Sequence, residues 1–245
     1  MHWQSFYVKP DMVRGNELIF LEDEAHHLSK VMRKKKGDLV WAVDGEGTAY
    51  EVEILYIEKS QVRARILRTR RRIGEPVAEV TLAQGILKGE KFDWLVEKAV
   101  EIGVRRIIPL ISEYSIAVAG PQKIARWKRI ALSAMKQSGR SILPEISLAQ
   151  PLKHVLAMGN DCRYRLIAHS GPGSTPLKIS RENRPILSSK SFLIIGPEGG
   201  FTQEEIEQAV EQGFTPVTLG PRRLRAETAG IVLTALLLSQ LGEME

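Results

Sequence analysis

The rhythm of apolar and polar positions changes once along this chain, near residue 72. Before it, apolar residues come in short alternating runs. Residues 39–43 and 50–57 flank Asp44-Gly45-Glu46-Gly47, while Val62, Ala64 and Ile66 alternate with Arg63 and Arg65. A period of two sends successive side chains to opposite faces of a strand, and Asp-Gly between two such runs marks a hairpin. A short helix is expected over 22–32, carrying His26 and His27 and ending in Arg33-Lys34-Lys35-Lys36-Gly37. After residue 72, apolar runs at 77–83, 107–111, 145–148, 164–168, 192–195 and 217–219 read as strands. They alternate with helical spacing over 91–102, with Gly103 as its stop, and over 122–138. Thr202 and Glu205 form a capping-box signature for a further helix that Gly213 ends, and a last helix begins near Ala229. Such alternation predicts an α/β domain with a mainly parallel sheet. The charged stretch 68–76, closed by Gly74 and Pro76, reads as a linker, giving domains 1–72 and 73–245. Residues 170–174 read as a loop, and 180–190 are polar and uninformative.

Charge sharpens this picture. The 245 residues are 43% apolar, enough for a substantial core, and carry a formal net charge of +6. Positive excess fits a polyanionic partner. Arg63, Arg65 and nearby Arg68 share the polar side of a strand, and a second basic cluster follows the short helix. Two such clusters in one small β-domain can track a phosphate backbone. Neighbouring histidines point in different directions on a helix, which argues against a shared metal site. The single cysteine, Cys162, excludes an internal disulfide framework and a Cys-rich zinc site. No apolar run reaches the roughly 20 residues of a membrane span, and residues 1–10 lack the basic-then-apolar order of a signal peptide. The expectation is a soluble, cytoplasmic protein.

Two turns carry the candidate chemistry. Ile195-Gly196-Pro197-Glu198-Gly199-Gly200 and Leu219-Gly220-Pro221-Arg222-Arg223-Leu224-Arg225-Ala226-Glu227-Thr228-Ala229 each follow a strand pattern and precede a helical one. Strand, Gly-rich turn and helix place ligands at the carboxyl ends of parallel strands. The first turn is not a phosphate cradle, since Glu198 stands in its middle and no Lys-Ser/Thr follows the glycines. A neutral or cationic ligand suits it better, for instance a nucleoside bearing a sulfonium.

These two turns, at this spacing, closely resemble the RsmE family of bacterial ribosomal RNA uridine-N3 methyltransferases, within the SPOUT superfamily. Lys88-Gly89-Glu90-Lys91, residues 97–103, Gln137-Ser138-Gly139-Arg140 before Pro144, and His26-His27-Leu28 with the following Val31 and Arg33 are also similar to it. One departure is Ser133-Ala134, where the family often carries Glu-Ala. The resemblance implies an α/β fold: a C-terminal trefoil-knotted SPOUT domain behind a small N-terminal PUA-like β-barrel. It implies S-adenosylmethionine as cofactor, held by Ile195, Gly196, Pro197, Gly199, Gly200, Leu219, Gly220, Leu224, Thr228 and Ala229. A third loop, 85–89, would converge on these two turns.

The reaction so implied is methylation of uridine N3 in 16S ribosomal RNA, with naked RNA or the small ribosomal subunit as partner. Arg225 would supply positive charge near the uracil oxygens, and Glu227 or Glu198 would take the proton or fix a loop. His26, His27, Arg33, Lys34, Arg63, Arg65, Arg68, Gln137, Arg140 and Arg222 are the RNA-binding candidates. Two other readings compete: a catalytically silent RNA-binding assembly factor, and a SPOUT methyltransferase acting on another RNA. The intact 224–229 turn disfavours the first, and the N-terminal β-pattern disfavours the second. Finally, the last helix is apolar nearly all round, with Ile231, Val232, Leu233, Leu236, Leu237, Leu238 and Leu241. Such a helix needs burial on several sides. With the resemblance, this points to a homodimer formed through that helix.

Overall fold

The computed structural model describes residues 5–178 and 189–244. Of the polar stretch 180–190, only Ser189 and Lys190 fall among them. The chain forms two compact units, one made of Met1–Glu75 and Leu132–Leu143, the other of Pro76–Ala131 and Pro144–Glu245. Residues 132–143, including Ser133, Gln137 and Arg140, therefore belong with the first unit.

In the first unit, β1 (Ser5–Tyr7), β2 (Val13–Arg14), β3 (Glu17–Leu21), β4 (Leu39–Val43), β5 (Thr48–Ile57) and β6 (Gln61–Arg71) make one sheet. Its order is β1-β4-β5-β6-β3-β2, with β1 parallel to β4 and the other pairs antiparallel. The β4–β5 hairpin forms as the Asp-Gly signal requires. Asp44 Oδ1 accepts from the amides of Glu46 and Thr48 at 2.8 and 2.9 Å, and Gly45 and Gly47 take φ of +75° and +102°. Val62 and Ala64 are fully buried while Arg63 and Arg65 are exposed, so the period of two on β6 holds. Phe6, Phe20, Leu18, Leu28 and Ile54 fill the core.

Two expectations change here. The helix over 22–32 is α1 (Glu22–His26) followed by a wider, π-type turn over His27–Val31. The stretch 68–76 is exposed over 68–72 but is structured at both ends. Its first residues extend β6, and Glu75 is a buried ion-pair partner.

The second unit contains β7 (Glu79–Gly85), α2 (Lys91–Glu101), β8 (Arg106–Ile111) and the start of α3 (Pro121–Ser138). It continues with β9 (Glu145–Ile146), β10 (Gln150–Pro151), α4 (Leu152–Met158), β11 (Tyr164–Ala168) and β12 (Thr175–Pro176). The last elements are β13 (Lys190–Ile195), α5 (Gln203–Glu211), β14 (Thr215–Thr218) and α6 (Ala226–Gln240). All sheet pairs are parallel, in the order β10-β8-β7-β13-β11-β14-β12, with β9 also on β8.

Strands buried on both faces explain the continuous apolar runs of β7, β8 and β13. Phe192, Ile194, Ala83, Ile108 and Ile167 pack with α4 and α5 through Leu152, Leu156, Ile206 and Ala209. The opposite face meets α6, whose Leu233, Leu237 and Leu238 are completely buried. Helix α2 presents Phe92, Leu95, Val96 and Ala99 inward, and Phe92 lies 4.1 Å from the Trp127 ring, whose Nε1 donates to Asp93 Oδ1 at 2.8 Å. Among the described residues no helix is long and apolar enough to cross a membrane.

Candidate active site

Adjacent strands β13, β11 and β14 end side by side, and the loops leaving their carboxyl ends enclose a cleft of about 1300 Å³. Its wall comprises 195–201 from the first turn, 217–227 with Ala229 from the second, 168–170 from the end of β11, and Lys91.

The first turn is built by close backbone approach. A Cβ on Gly85 would sit 2.2 Å from the Pro197 nitrogen, and one on Gly196 would sit 3.1 Å from Gly200. Gly200 holds φ at +76°, a region that favours glycine, and its amide donates to the Pro197 carbonyl at 2.9 Å. Glu198 closes the turn from outside the sheet. Its Oε1 accepts from the Lys88 amide at 3.2 Å and lies 3.5 Å from Lys91 Nζ. Burial alone would raise its pKa. Its own amide, the Lys88 amide and the Lys91 ammonium together outweigh burial, and the carboxyl ends below the ordinary glutamate value. The turn then enters α5 through the capping box of Thr202 and Glu205. Glu205 also accepts from the Glu113 amide at 2.9 Å through its other oxygen.

The second turn leaves β14 through Gly220, at φ +101°, and enters α6 with Arg225 as N-cap. Arg222, Arg223 and Arg225 are exposed along the cleft, and among the described residues no carboxylate pairs with any of them. Glu227, in the first turn of α6, differs. Only 8% of it is exposed, and its Oε2 has no hydrogen-bond partner among the described residues.

All three catalytic candidates, Arg225, Glu227 and Glu198, therefore share one cleft. So do Ile195, Gly196, Pro197, Gly199, Gly200, Leu219, Gly220, Leu224 and Ala229, whereas Thr228 does not line it. Loop 168–170 lines the cleft as well, whereas 85–89 meets the first turn without lining the cleft. Gly85 and Lys88 instead brace the first turn from behind. Ala168, His169 and Ser170 escaped the sequence reading because only the strand order, with β11 between β13 and β14, brings their loop here. Arg222 is the one RNA candidate on the cleft wall.

The other RNA candidates lie in the first unit, and there the structure makes one correction. Arg140 is 1% exposed and pairs with Glu75 at 2.7 Å, both side chains being buried. It holds the fold and has no surface with which to touch RNA. His26, Arg33, Arg63 and Gln137 are exposed and Lys34 is half-buried. His27 packs edge-on against Phe6 with ring centres 5.5 Å apart. Arg65 and Arg68 are exposed but face Glu53 at 2.6 Å and Glu51 at 3.6 Å.

Comparison with known proteins defines the class first. Residues 74–238 match the RNA methyltransferase domain family, and residues 20–67 match an RNA methyltransferase PUA domain. The chain is 32% identical to ribosomal RNA small subunit methyltransferase E of Buchnera aphidicola, over 98% of this chain and 94% of that one. A crystal structure of ribosomal RNA small subunit methyltransferase E from Neisseria gonorrhoeae bound to S-adenosyl methionine is similar at TM-score 0.84. It shares 31% identity, covering 97% of this chain and 98% of that one. A putative methyltransferase from Legionella pneumophila, in complex with bound SAM, is similar at TM-score 0.83 and 30% identity, with 98% of each chain covered. The chain belongs to the ribosomal RNA small subunit methyltransferase E family.

Proposed function

We propose that this protein transfers a methyl group from S-adenosylmethionine to N3 of a uridine in small-subunit ribosomal RNA. The observation that carries this reading is the cleft itself. Three loops at the carboxyl ends of adjacent parallel strands offer backbone amides and carbonyls, three guanidinium groups and two carboxylates in one wall. The first turn, with Glu198 in its middle and no Lys-Ser/Thr after its glycines, fits a nucleoside with a cationic centre better than a phosphate. Backbone groups of 195–200 and 219–224 read the donor's polar edges, and the glycines let it approach the chain closely.

When bound, the donor supplies an electrophilic methyl on a sulfonium. The protein's own residues must then align the uridine and favour the charge that develops on its oxygens. Arg225 is placed for that charge: it caps α6, is exposed along the cleft, and has no carboxylate partner among the described residues. Glu198 is tied into its loop and held ionised, so it shapes the turn. Exposed Arg63, Arg65 and Arg68 bind phosphates, and a uridine in folded RNA is splayed from its neighbours to be reached.

Three finer statements belong to the same reading. The second unit carries a trefoil knot; the support is that β11 lies between β13 and β14 although it precedes both. The enzyme is a homodimer through α6, whose Ile231, Val232, Ala235 and Leu236 form a partly exposed stripe at helical spacing. It acts in the cytoplasm, where ribosomes are assembled.

Mass mapping of nucleosides from small-subunit RNA, after incubation with the protein and labelled donor, tests the reaction. A single N3-methyluridine is expected. Label on a ribose hydroxyl, or none, would overturn it.

A further inference from the structure

We propose that the Glu227 carboxylate is the group that takes the N3 proton of the uridine. The inference rests on the reaction proposed above and assigns its missing acid–base partner. A buried carboxylate oxygen without a donor is costly, by several times the value of an ordinary hydrogen bond, and native structures rarely tolerate one. Glu227 is 8% exposed, lines the cleft, and leaves Oε2 without a donor among the described residues. Since Glu227 lines the cleft, a donor for its carboxylate can come from what enters there, and uracil N3–H is a donor that must also be lost for methylation to occur.

Glu198 cannot fill this role equally well. Its Oε1 already holds the Lys88 amide and faces Lys91, and its pKa lies below the ordinary glutamate value. A carboxylate so stabilised is a weaker base. His169 is the other side chain on the wall with a nitrogen that accepts a proton near neutrality. A Cβ on Gly171 would lie 2.2 Å from its Nε2, so that nitrogen is turned against its own loop.

The step balances as follows. The N3–H bond breaks and its proton passes to the Glu227 carboxylate, making a carboxylic acid. The N3 electron pair forms the new N–CH₃ bond, and the methyl–sulfur pair returns to sulfur, which becomes a neutral thioether. Glu227 then loses the proton to water as product leaves. Arg225, on the same turn, meets the negative charge that deprotonation spreads onto the uracil oxygens.

The test combines two readouts. Calorimetry with S-adenosylmethionine measures donor binding by Glu227→Gln, and turnover is compared on RNA carrying uridine or 5-fluorouridine, whose N3–H is more acidic. Expected are near wild-type donor affinity, turnover on uridine lowered about a hundredfold or more, and a recovery on 5-fluorouridine that exceeds any gain by the wild type. Glu227→Asp, which keeps the carboxylate but withdraws it, should fall between the two. His169→Gln should lose rate equally on both RNAs.

Full turnover by Glu227→Gln, equal loss on both RNAs, or loss of donor binding would each overturn the assignment. So would a selective recovery in His169→Gln instead. Failure of the underlying reaction looks different: wild-type protein would then leave both RNAs unmethylated at N3, and both proposals would fall.

Discussion

Glu75 and Arg140, 65 residues apart in the chain, form a buried ion pair in the first unit. Arg140 Nη2 lies 2.7 Å from Glu75 Oε2, and both side chains are 2% exposed. Glu75 Oε1 also accepts from the amides of Ser141 and Ile142 at 2.9 and 2.8 Å. Removing one partner of such a pair strands the other charge. Arg140→Ala and Glu75→Gln should each cost about 3–5 kcal/mol in urea denaturation, while RNA affinity of the folded protein stays near wild type.

Gly199 is constrained from the side away from the cleft. A Cβ there would lie 2.8 Å from Tyr114 Cβ, and it is Gly200 that holds the positive φ. Gly199→Ala should therefore weaken S-adenosylmethionine binding by displacing the turn, at a cost of about 1–3 kcal/mol. Adding Tyr114→Gly, which removes that Cβ, should restore much of it. Calorimetry on the single and double variants checks this, and unchanged affinity in Gly199→Ala contradicts it.

The two sides of α6 should answer differently to charge. Leu237 and Leu238 are completely buried within their own chain, whereas Leu236 is 41% exposed. Leu237→Glu buries an unpaired carboxylate and should unfold the second unit. Leu236→Glu should fold and sediment as a monomer. Sedimentation and circular dichroism separate the outcomes, and a wild type that is itself monomeric at micromolar concentration would refute the dimer.

On β6, the arginines are held by carboxylates that RNA phosphates must replace. Arg65 faces Glu53 and Arg68 faces Glu51. Combined Arg63→Ala, Arg65→Ala and Arg68→Ala should reduce the slope of log affinity against log salt by about 2. Glu53→Gln should do the reverse and tighten binding by releasing Arg65. Filter binding across a salt series measures both.

Glu198 sets an acid limit on the first turn. Its folded pKa lies below the ordinary value of 4.5, so its clamp contributes fully above that value. The contribution is lost as pH falls through the folded pKa. Donor affinity should hold from neutrality down to about that value and then decline, and Glu198→Gln should remove the decline. A decline that persists in Glu198→Gln would place the titrating group elsewhere.

The strands, helices and caps were legible because local rules govern them. The alternation along Val62–Ala64–Ile66, the Asp44-Gly45 hairpin and the Thr202–Glu205 capping box each declare themselves within a few residues. Both glycine turns, which the structure places on one cleft, were legible as turns between strand and helix for the same reason. What escaped depends on contacts between distant segments. Arg140 reads as a solvated cation until Glu75 is brought beside it, and His169 reads as loop until β11 is seated between β13 and β14. Leu236 and Leu237 are the same residue type in one apolar run, and only packing tells the open side from the closed one.

The discontinuous make-up of the first unit has a consequence for synthesis. Domains generally fold as they leave the ribosome, amino-terminal first. Here the β-strands of 5–71 emerge early, but Glu75 must wait for Arg140, and Gly45 for its bridge to Ile142. Translation has passed the whole of Pro76–Ala131 before those partners exist. The amino-terminal unit is thus completed only at Leu143, after the second unit has begun, and a nascent chain halted after Glu75 should remain open to protease where one extended beyond Leu143 is not.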